Sequence, residues 1–276
     1  MTFGGQQGGR IEDIRFLTGQ GRYVDDIAPA GALHAVFVRS PVAHAVVTAL
    51  DTAEAEGMPG VRAVLTADRL RALGVNLAMR GATVPNRDGT RGAAPVRPVL
   101  AEGRVRFVGE AIVCIVADTL AEARDAAEAV AVDFDDLPVK MDVAPGGPVI
   151  HPEAPGNVAY DWALGDEAAV DAAFAAAAHV LRVRVEDNRV IVNAMEPRAA
   201  FADWRDGRLH LCVNGQGVWN QKAQLAAQLG LDPAHVRVTN PDVGGGFGMK
   251  AMAYPEYVVI AAAARALGRP VRWMSE

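Results

Sequence analysis

The chain has 276 residues, a formal net charge of −6, 51% hydrophobic and 22% charged residues. Charge that is moderate, with arginines alternating among acids, excludes the basic face of a nucleic-acid-binding protein. The longest apolar run, Val258–Ala264, is broken by Arg265, far short of the roughly 18 residues a membrane span requires. The opening MTFGGQQGGR has no apolar signal core; the expectation is a cytoplasmic chain without a membrane span. Its length predicts about two domains. Cys114 and Cys212 sit in apolar strand-like runs, without a CxxC pair or a histidine at ligand spacing. They read as buried reduced thiols, so no metal is expected on this chain's own side chains.

Residues 1–30 read as a glycine-rich, charged arm with one short turn. Leu33–Ser40 alternates like a strand that ends at Pro41, and Val46–Leu50 and Val61–Leu65 are further short apolar runs. Thr66 caps a helical turn, and residues 80–98 form a Gly/Pro/Arg-rich loop. Val105–Ala117 reads as a nearly continuous strand with a bend at Gly109 and Glu110. A helix over Asp118–Ala131 and an extended Val132–Phe134 complete a compact α/β unit. The PGGP at 145–148 marks a linker, which divides the chain into 1–145 and 146–276.

The second unit opens with a helix over Asp166–Ala178, with Val170, Phe174 and Ala178 on one face, and strands over His179–Glu186 and Ala199–Trp204. Asp206-Gly207 is a hairpin signal leading into Arg208–Val213. A helix carrying Val218, Leu225, Ala226 and Leu229 follows. The last helix, Pro255–Leu267, has Pro at its first position and stops at Gly268. VRWMSE then begins another strand. Ending there, the final helix and strand are expected to leave apolar faces uncovered, as a surface meant for a partner does.

Three local features carry candidate chemistry. In Val243–Lys250 (VGGGFGMK), three glycines let backbone N–H groups approach an anion, with Lys250 adding positive charge and Phe247 contacting a flat ligand. A tight turn at positive φ explains the same run. Gln216, between Gly215 and Gly217, can present an amide into a cavity, or belong to an ordinary strand–helix loop. Glu196 can act as a base or, the favoured reading, form a buried ion pair with Arg198. The Arg39/His44 pair reads as loop scaffolding. GGGFG fails the spacing of a Rossmann fingerprint, since Met249 takes the place of its last glycine.

Taken in order, RFLTG at 15–19, GRYVDD at 21–26, RSP at 39–41, AHA at 43–45, VGE at 108–110, VAD at 116–118, EPR at 196–198, GQG at 215–217, GGGFG at 244–248, Lys250 and YPEY at 254–257 resemble the large subunit of molybdenum hydroxylases. That family includes xanthine dehydrogenase, aldehyde oxidase and carbon monoxide dehydrogenase. The resemblance runs from about residue 10 to the end. It implies an α+β fold: a hammerhead-like α/β domain, then the first, incomplete part of the molybdopterin-binding domain. It further implies an oxidoreductase that hydroxylates carbon with water-derived oxygen on a molybdopterin-type molybdenum cofactor, in the cytosine dinucleotide form as one option. On this basis Gln216 hydrogen-bonds an oxygen ligand of the molybdenum, and Gly245, Gly246, Phe247 and Gly248 line the cofactor. Ala251 stands where purine-oxidising members carry a carboxylate, which favours aldehydes or N-heteroaromatics as small-molecule substrates. The family's glutamate base and most of its pterin contacts lie in a later region. The implied partners are a polypeptide carrying that region, an iron–sulfur (2Fe–2S) subunit and an FAD subunit. The alternative is a non-catalytic fragment acting as a binding or assembly module.

Overall fold

The computed structural model describes residues 10–79, 81–188 and 190–275, so most of the glycine-rich opening lies outside the described residues. Helix α1 (Asp13–Leu17) precedes β1 (Leu33–Arg39), whose alternation buries Leu33, Ala35 and Phe37. Next come β2 (Ala45–Asp51), α2 (Ala53–Gly57), β3 (Val61–Leu65) and α3 (Ala67–Ala72). The Thr66 hydroxyl accepts the Arg69 N–H and caps α3, as its sequence predicts. Strands β4 (Ala78–Met79) and β5 (Arg97–Pro98) pair across the long loop.

The expected continuous strand at 105–117 is two strands, β6 (Arg104–Val105) and β7 (Ala111–Ala117), in different sheets. Gly109, at φ +90°, allows the change of direction. Glu110 then fixes it by accepting the Arg106 N–H at 2.6 Å. Helix α4 (Leu120–Glu128) begins with a capping box between Thr119 and Glu122, and β8 (Ala131–Asp136) follows. Helix α5 (Glu167–Ala176) is capped by Asp166. Beyond it lie β9 (Ala199–Arg205), β10 (Arg208–Val213), α6 (Trp219–Leu229), β11 (Val236–Thr239), α7 (Pro255–Leu267) and β12 (Val271–Met274). Asp206 and Gly207 both take positive φ, the geometry the right-handed twist of a two-residue hairpin requires.

The main sheet has seven strands in the order β11-β10-β9-β12-β1-β7-β3, and β6-β2-β8 form a smaller one. Strands from both sides of residue 145 therefore share one sheet, joined where β1 lies parallel to β12. All seven residues of β7 are buried, because layers cover both faces. Cys114 and Val116 pack on the side of α6 and α7, while Val113, Ile115 and Ala117 meet Ala123 and Ala126 of α4.

Two expectations are overturned. His179–Glu186 is not a strand: it has no neighbour among the described residues with which to exchange hydrogen bonds, and every described residue from 158 to 191 is exposed. The uncovered apolar surface also lies elsewhere than expected. Residues 256–264 of α7 are all buried, and β12 sits inside the sheet between β9 and β1. The bare side chains are instead Val170 and Phe174 of α5, and Leu181, Val183, Val185 and Ile191 after it.

Candidate functional site

Asn214, at the end of β10, is fully buried and organises the loop that follows. Its side chain accepts the Ala199 N–H at 2.9 Å and donates to the Pro197 carbonyl at 2.6 Å. From that anchor residues 215–217 are stitched to their surroundings. The Asn240 side chain donates to the Gly215 carbonyl at 2.6 Å, and the Gln216 N–H donates to the Lys250 carbonyl at 2.9 Å. The Gly248 N–H donates to Gln216 Oε1 at 2.8 Å. With its oxygen thus occupied, the amide of Gln216 keeps its NH2 as a donor on the exposed side of the loop.

The glycine run faces this glutamine. A Cβ at Gly246 would lie 2.7 Å from Gln216 side-chain atoms, so the close approach of the two loops requires glycine there. Gly245 has φ +98°, and a Cβ on it would lie 2.8 Å from the Phe247 ring. Phe247 takes φ +49°, rare for a bulky side chain, and is 74% exposed. Strain of this kind persists where surroundings over-determine it and collects at ligand sites. The N–H groups of Gly245, Gly246 and Phe247 bond to nothing among the described residues. Three adjacent donors, a fixed amide and a bare ring make a donor surface suited to an oxygen-rich or anionic ligand.

Lys250 does not serve this surface. It is wholly buried and donates to the Glu196 carbonyl at 2.8 Å and to Glu196 Oε2 at 3.2 Å. The Gly244 N–H also donates to Oε2, at 2.8 Å, and the Glu196 N–H returns to the Gly244 carbonyl at 3.1 Å. The lysine charge is thus neutralised inside the protein, where an unpaired charge is costly, and it clamps the glycine run from beneath. The expected Glu196–Arg198 pair is absent for the same reason. Arg198 lies 3.8 Å over the Tyr254 ring and pairs instead with Glu256, at 3.4 Å. Arg39 reaches the other oxygen of Glu256 at 2.8 Å. Burial opposes ionisation of Glu256, but the two guanidinium groups outweigh it and hold its carboxyl below the ordinary value. Arg39 also donates to the Gly109 carbonyl at 3.1 Å, and buried His44 contacts the Pro138 carbonyl at 2.8 Å through Nδ1. Both are scaffolding.

A second tether, which the sequence reading did not single out, joins the N-terminal segment to this loop. Asp242 accepts two bonds from the Arg15 guanidinium and one from the Arg22 N–H. The arginine holds the Asp242 carboxyl down at about 2. Only the partners' distance in sequence concealed it, since Arg15 and Asp242 are ordinary surface residue types. Cys114 and Cys212 are buried free thiols, and Cys114 is held protonated by its burial. No group of three or more His, Cys, Asp or Glu among the described residues could hold a metal. No helix of the described residues is long and apolar enough to cross a membrane.

A loop of unbonded backbone donors thus lies at the end of a mixed sheet, faced by one fixed amide. Residues 18–138 match the model of the aldehyde oxidase and xanthine dehydrogenase a/b hammerhead domain, and residues 150–276 that of the molybdopterin cofactor-binding domain. The nicotine 6-hydroxylase large subunit of Paenarthrobacter nicotinovorans is 39% identical over 97% of this chain and 32% of its own length. The carbon monoxide dehydrogenase large chain of Hydrogenophaga pseudoflava is 34% identical over 96% of this chain and 34% of its own. Quinoline 2-oxidoreductase from Pseudomonas putida 86 superposes with a TM-score of 0.81 at 33% identity, over 97% of this chain and 34% of that one. Reconstituted CO dehydrogenase from Oligotropha carboxidovorans gives 0.83 at 33% identity, over 99% and 35%. The chain belongs to the molybdenum hydroxylase family and corresponds to the N-terminal part of its large subunit. It spans about a third of the length of these curated relatives.

Proposed function

We propose that this chain supplies one wall of the molybdenum-cofactor site of an oxidoreductase, and that a polypeptide carrying the remaining region of the large subunit supplies the rest. The observation that carries this reading is the set of unbonded N–H groups at Gly245, Gly246 and Phe247, facing the anchored Gln216 amide. These residues fit the group: preorganised backbone donors on a glycine run suit an oxygen-rich ligand. Gln216 donates its amide N–H to the cofactor, the three backbone donors orient it, and Phe247 and Gly248 cover it. When bound, the cofactor supplies two-electron oxidation of a carbon centre with oxygen taken from water. The chain's own contribution is to orient and to exclude water. Glu196 has a structural part in this scheme, because Lys250 and Gly244 both bond to its Oε2.

The finer assignments belong to the same proposal. The units are 1–145 and 146–276, and the cytosine dinucleotide form of the cofactor is one option. The 2Fe–2S and FAD groups reside on partner subunits in the cytoplasm. The relatives include proteins named for nicotine, quinoline and aldehydes. Together with Ala251 after the motif lysine, they support an aldehyde or N-heteroaromatic substrate. The test is molybdenum per chain in tagged protein isolated natively with its complementing polypeptide. A ratio near one is expected. A folded complex without molybdenum would replace this reading with that of a binding or assembly module.

A further inference from the structure

Residues 162–193 hold no hydrogen bond to the remainder of the described chain. Both ends of this stretch are nevertheless fixed. Before it, Arg87 and Ala93 donate backbone N–H groups to the Asp161 and Ala159 carbonyls at 2.7 Å each. After it, Glu196 is held by Gly244 and Lys250 beneath the glycine run. A free tail would have one such anchor. Two anchors make a presented segment.

Its sequence is not that of a solvated linker. Leu181, Val183 and Val185 are 86%, 71% and 81% exposed and alternate with Arg182, Arg184 and Glu186. A period of two puts the three apolar side chains on one face of a strand and the charged ones on the other. A linker gains nothing from that alternation, whereas a strand paired on a second element gains burial of a whole face. Helix α5, immediately before it, adds bare Val170 and Phe174. The pattern fits addition of a strand from another chain, in which backbone bonds give affinity and alternate side chains give specificity.

We propose that residues 179–186 are a docking strand that pairs with a strand of the polypeptide carrying the remaining large-subunit region, with α5 packing alongside. The choice of occupant follows from length: about two thirds of each relative's own length lies outside the part this chain matches. The inference rests on the reading given under Proposed function.

The test co-expresses the chain with a tagged polypeptide comprising the other two thirds of the Paenarthrobacter nicotinovorans nicotine 6-hydroxylase large subunit, and reads co-purification, molybdenum content and the melting temperature of the isolated chain. Variants are Val183→Pro, Arg184→Pro and the double change Leu181→Asp with Val185→Asp. Successive N–H groups of a strand point to opposite edges, so one proline should weaken association more than the other. The stronger proline and the double aspartate should each lower co-purification by roughly tenfold or more, about 1.4 kcal/mol, with the melting temperature of the isolated chain unchanged. Undiminished co-purification of all three variants overturns the proposal. So does a homodimer of the chain that these substitutions dissolve, which makes a second copy the occupant. A wild-type complex that forms, weakens in the variants, yet holds no molybdenum upholds the docking strand and defeats the functional reading alone.

Discussion

Two alanine-rich helices of this molecule have opposite fates. Helix α5 (EAAVDAAFAA) begins at a capping aspartate, and α7 (PEYVVIAAAARAL) begins with Pro in its first turn. Both are stated plainly by the sequence. Yet α7 buries every residue from Glu256 to Ala264, while α5 buries none. The difference is not local. Helix α7 lies on β9, β10 and β12 of the main sheet and packs against α6, so both its flanks meet apolar layers. Helix α5 has a cap and an apolar stripe, but none of its residues is buried by the described chain. Propensity and capping decide that a helix forms, whereas its burial depends on what else the chain brings to it.

The strongest attack on this contrast places the same charge on both helices. Val259→Asp buries a carboxylate without a partner in a site that is fully closed. A loss on the order of 4 kcal/mol is expected in chemical denaturation, enough to unfold many domains of this size. A stable Val259→Asp protein would mean that α7 is not the core element described above.

The clamp under the glycine run comes next. Lys250→Met leaves the Glu196 carboxylate with only the Gly244 N–H for its charge, and one of its oxygens, Oε1, already lacks a partner. Breaking a buried pair from one side costs about 3 kcal/mol. Pairing the change with Glu196→Gln should restore a large part, because the remaining group is then neutral. If Lys250→Met unfolds at the wild-type denaturant concentration, the ion pair contributes nothing.

What the sequence disclosed and what it hid follow the same division. Residue spacing exposed α7 from Pro255 to Gly268, the Asp206-Gly207 turn and the Thr66 cap, because each depends on neighbours a few positions away. The glycine run, Gln216 and Phe247 stood out because glycine and amide chemistry is local too. Lys250 was misread: its side chain turns inward to Glu196, a partner 54 positions earlier, and no spacing rule reports that. Arg198 was paired with the nearer carboxylate for the same reason. The alternation at 179–186 is plain in the sequence, but strand pairing needs a second segment, which the alternation does not supply.

A third test probes the meeting of the two loops. Gly246→Ala drives a methyl group to 2.7 Å from Gln216, and relief by displacement of the glutamine should cost about 1–2 kcal/mol. Its molybdenum content should fall further than its stability, since the amide is moved off its place. Gly248→Ala, where a Cβ meets nothing within 4 Å but φ is +87°, separates backbone strain from the loss of that amide.

Acid should release the N-terminal tether before it disturbs α7. The Asp242 carboxyl is held at about 2 by Arg15, below the ordinary value of about 4. A lowered carboxylate adds stability that is present above the unfolded value and is lost as pH falls through the folded one. Between pH 4 and 2 the segment around Phe16 should therefore become open to pepsin. Asp242→Asn should bring that cleavage to pH 4. Equal cleavage of both proteins across this range would remove the tether from the account.

The smallest expected effect is the most discriminating. Val170→Asp and Phe174→Ser alter α5 where the side chains are 53% and 60% exposed, and neither touches the core clusters. Substitution at such positions changes stability by no more than about 0.5 kcal/mol, and the Asp166 cap keeps the helix start. The denaturation midpoint of the isolated chain should stay in place, against the collapse expected of Val259→Asp. A clear fall for Val170→Asp would show that α5 already rests on this chain's own core, and the contrast between the two helices would then be one of degree. An unchanged midpoint, together with weaker association with the complementing polypeptide, places the helix's apolar stripe in an interface: burial that α7 finds within the chain, α5 finds only in assembly.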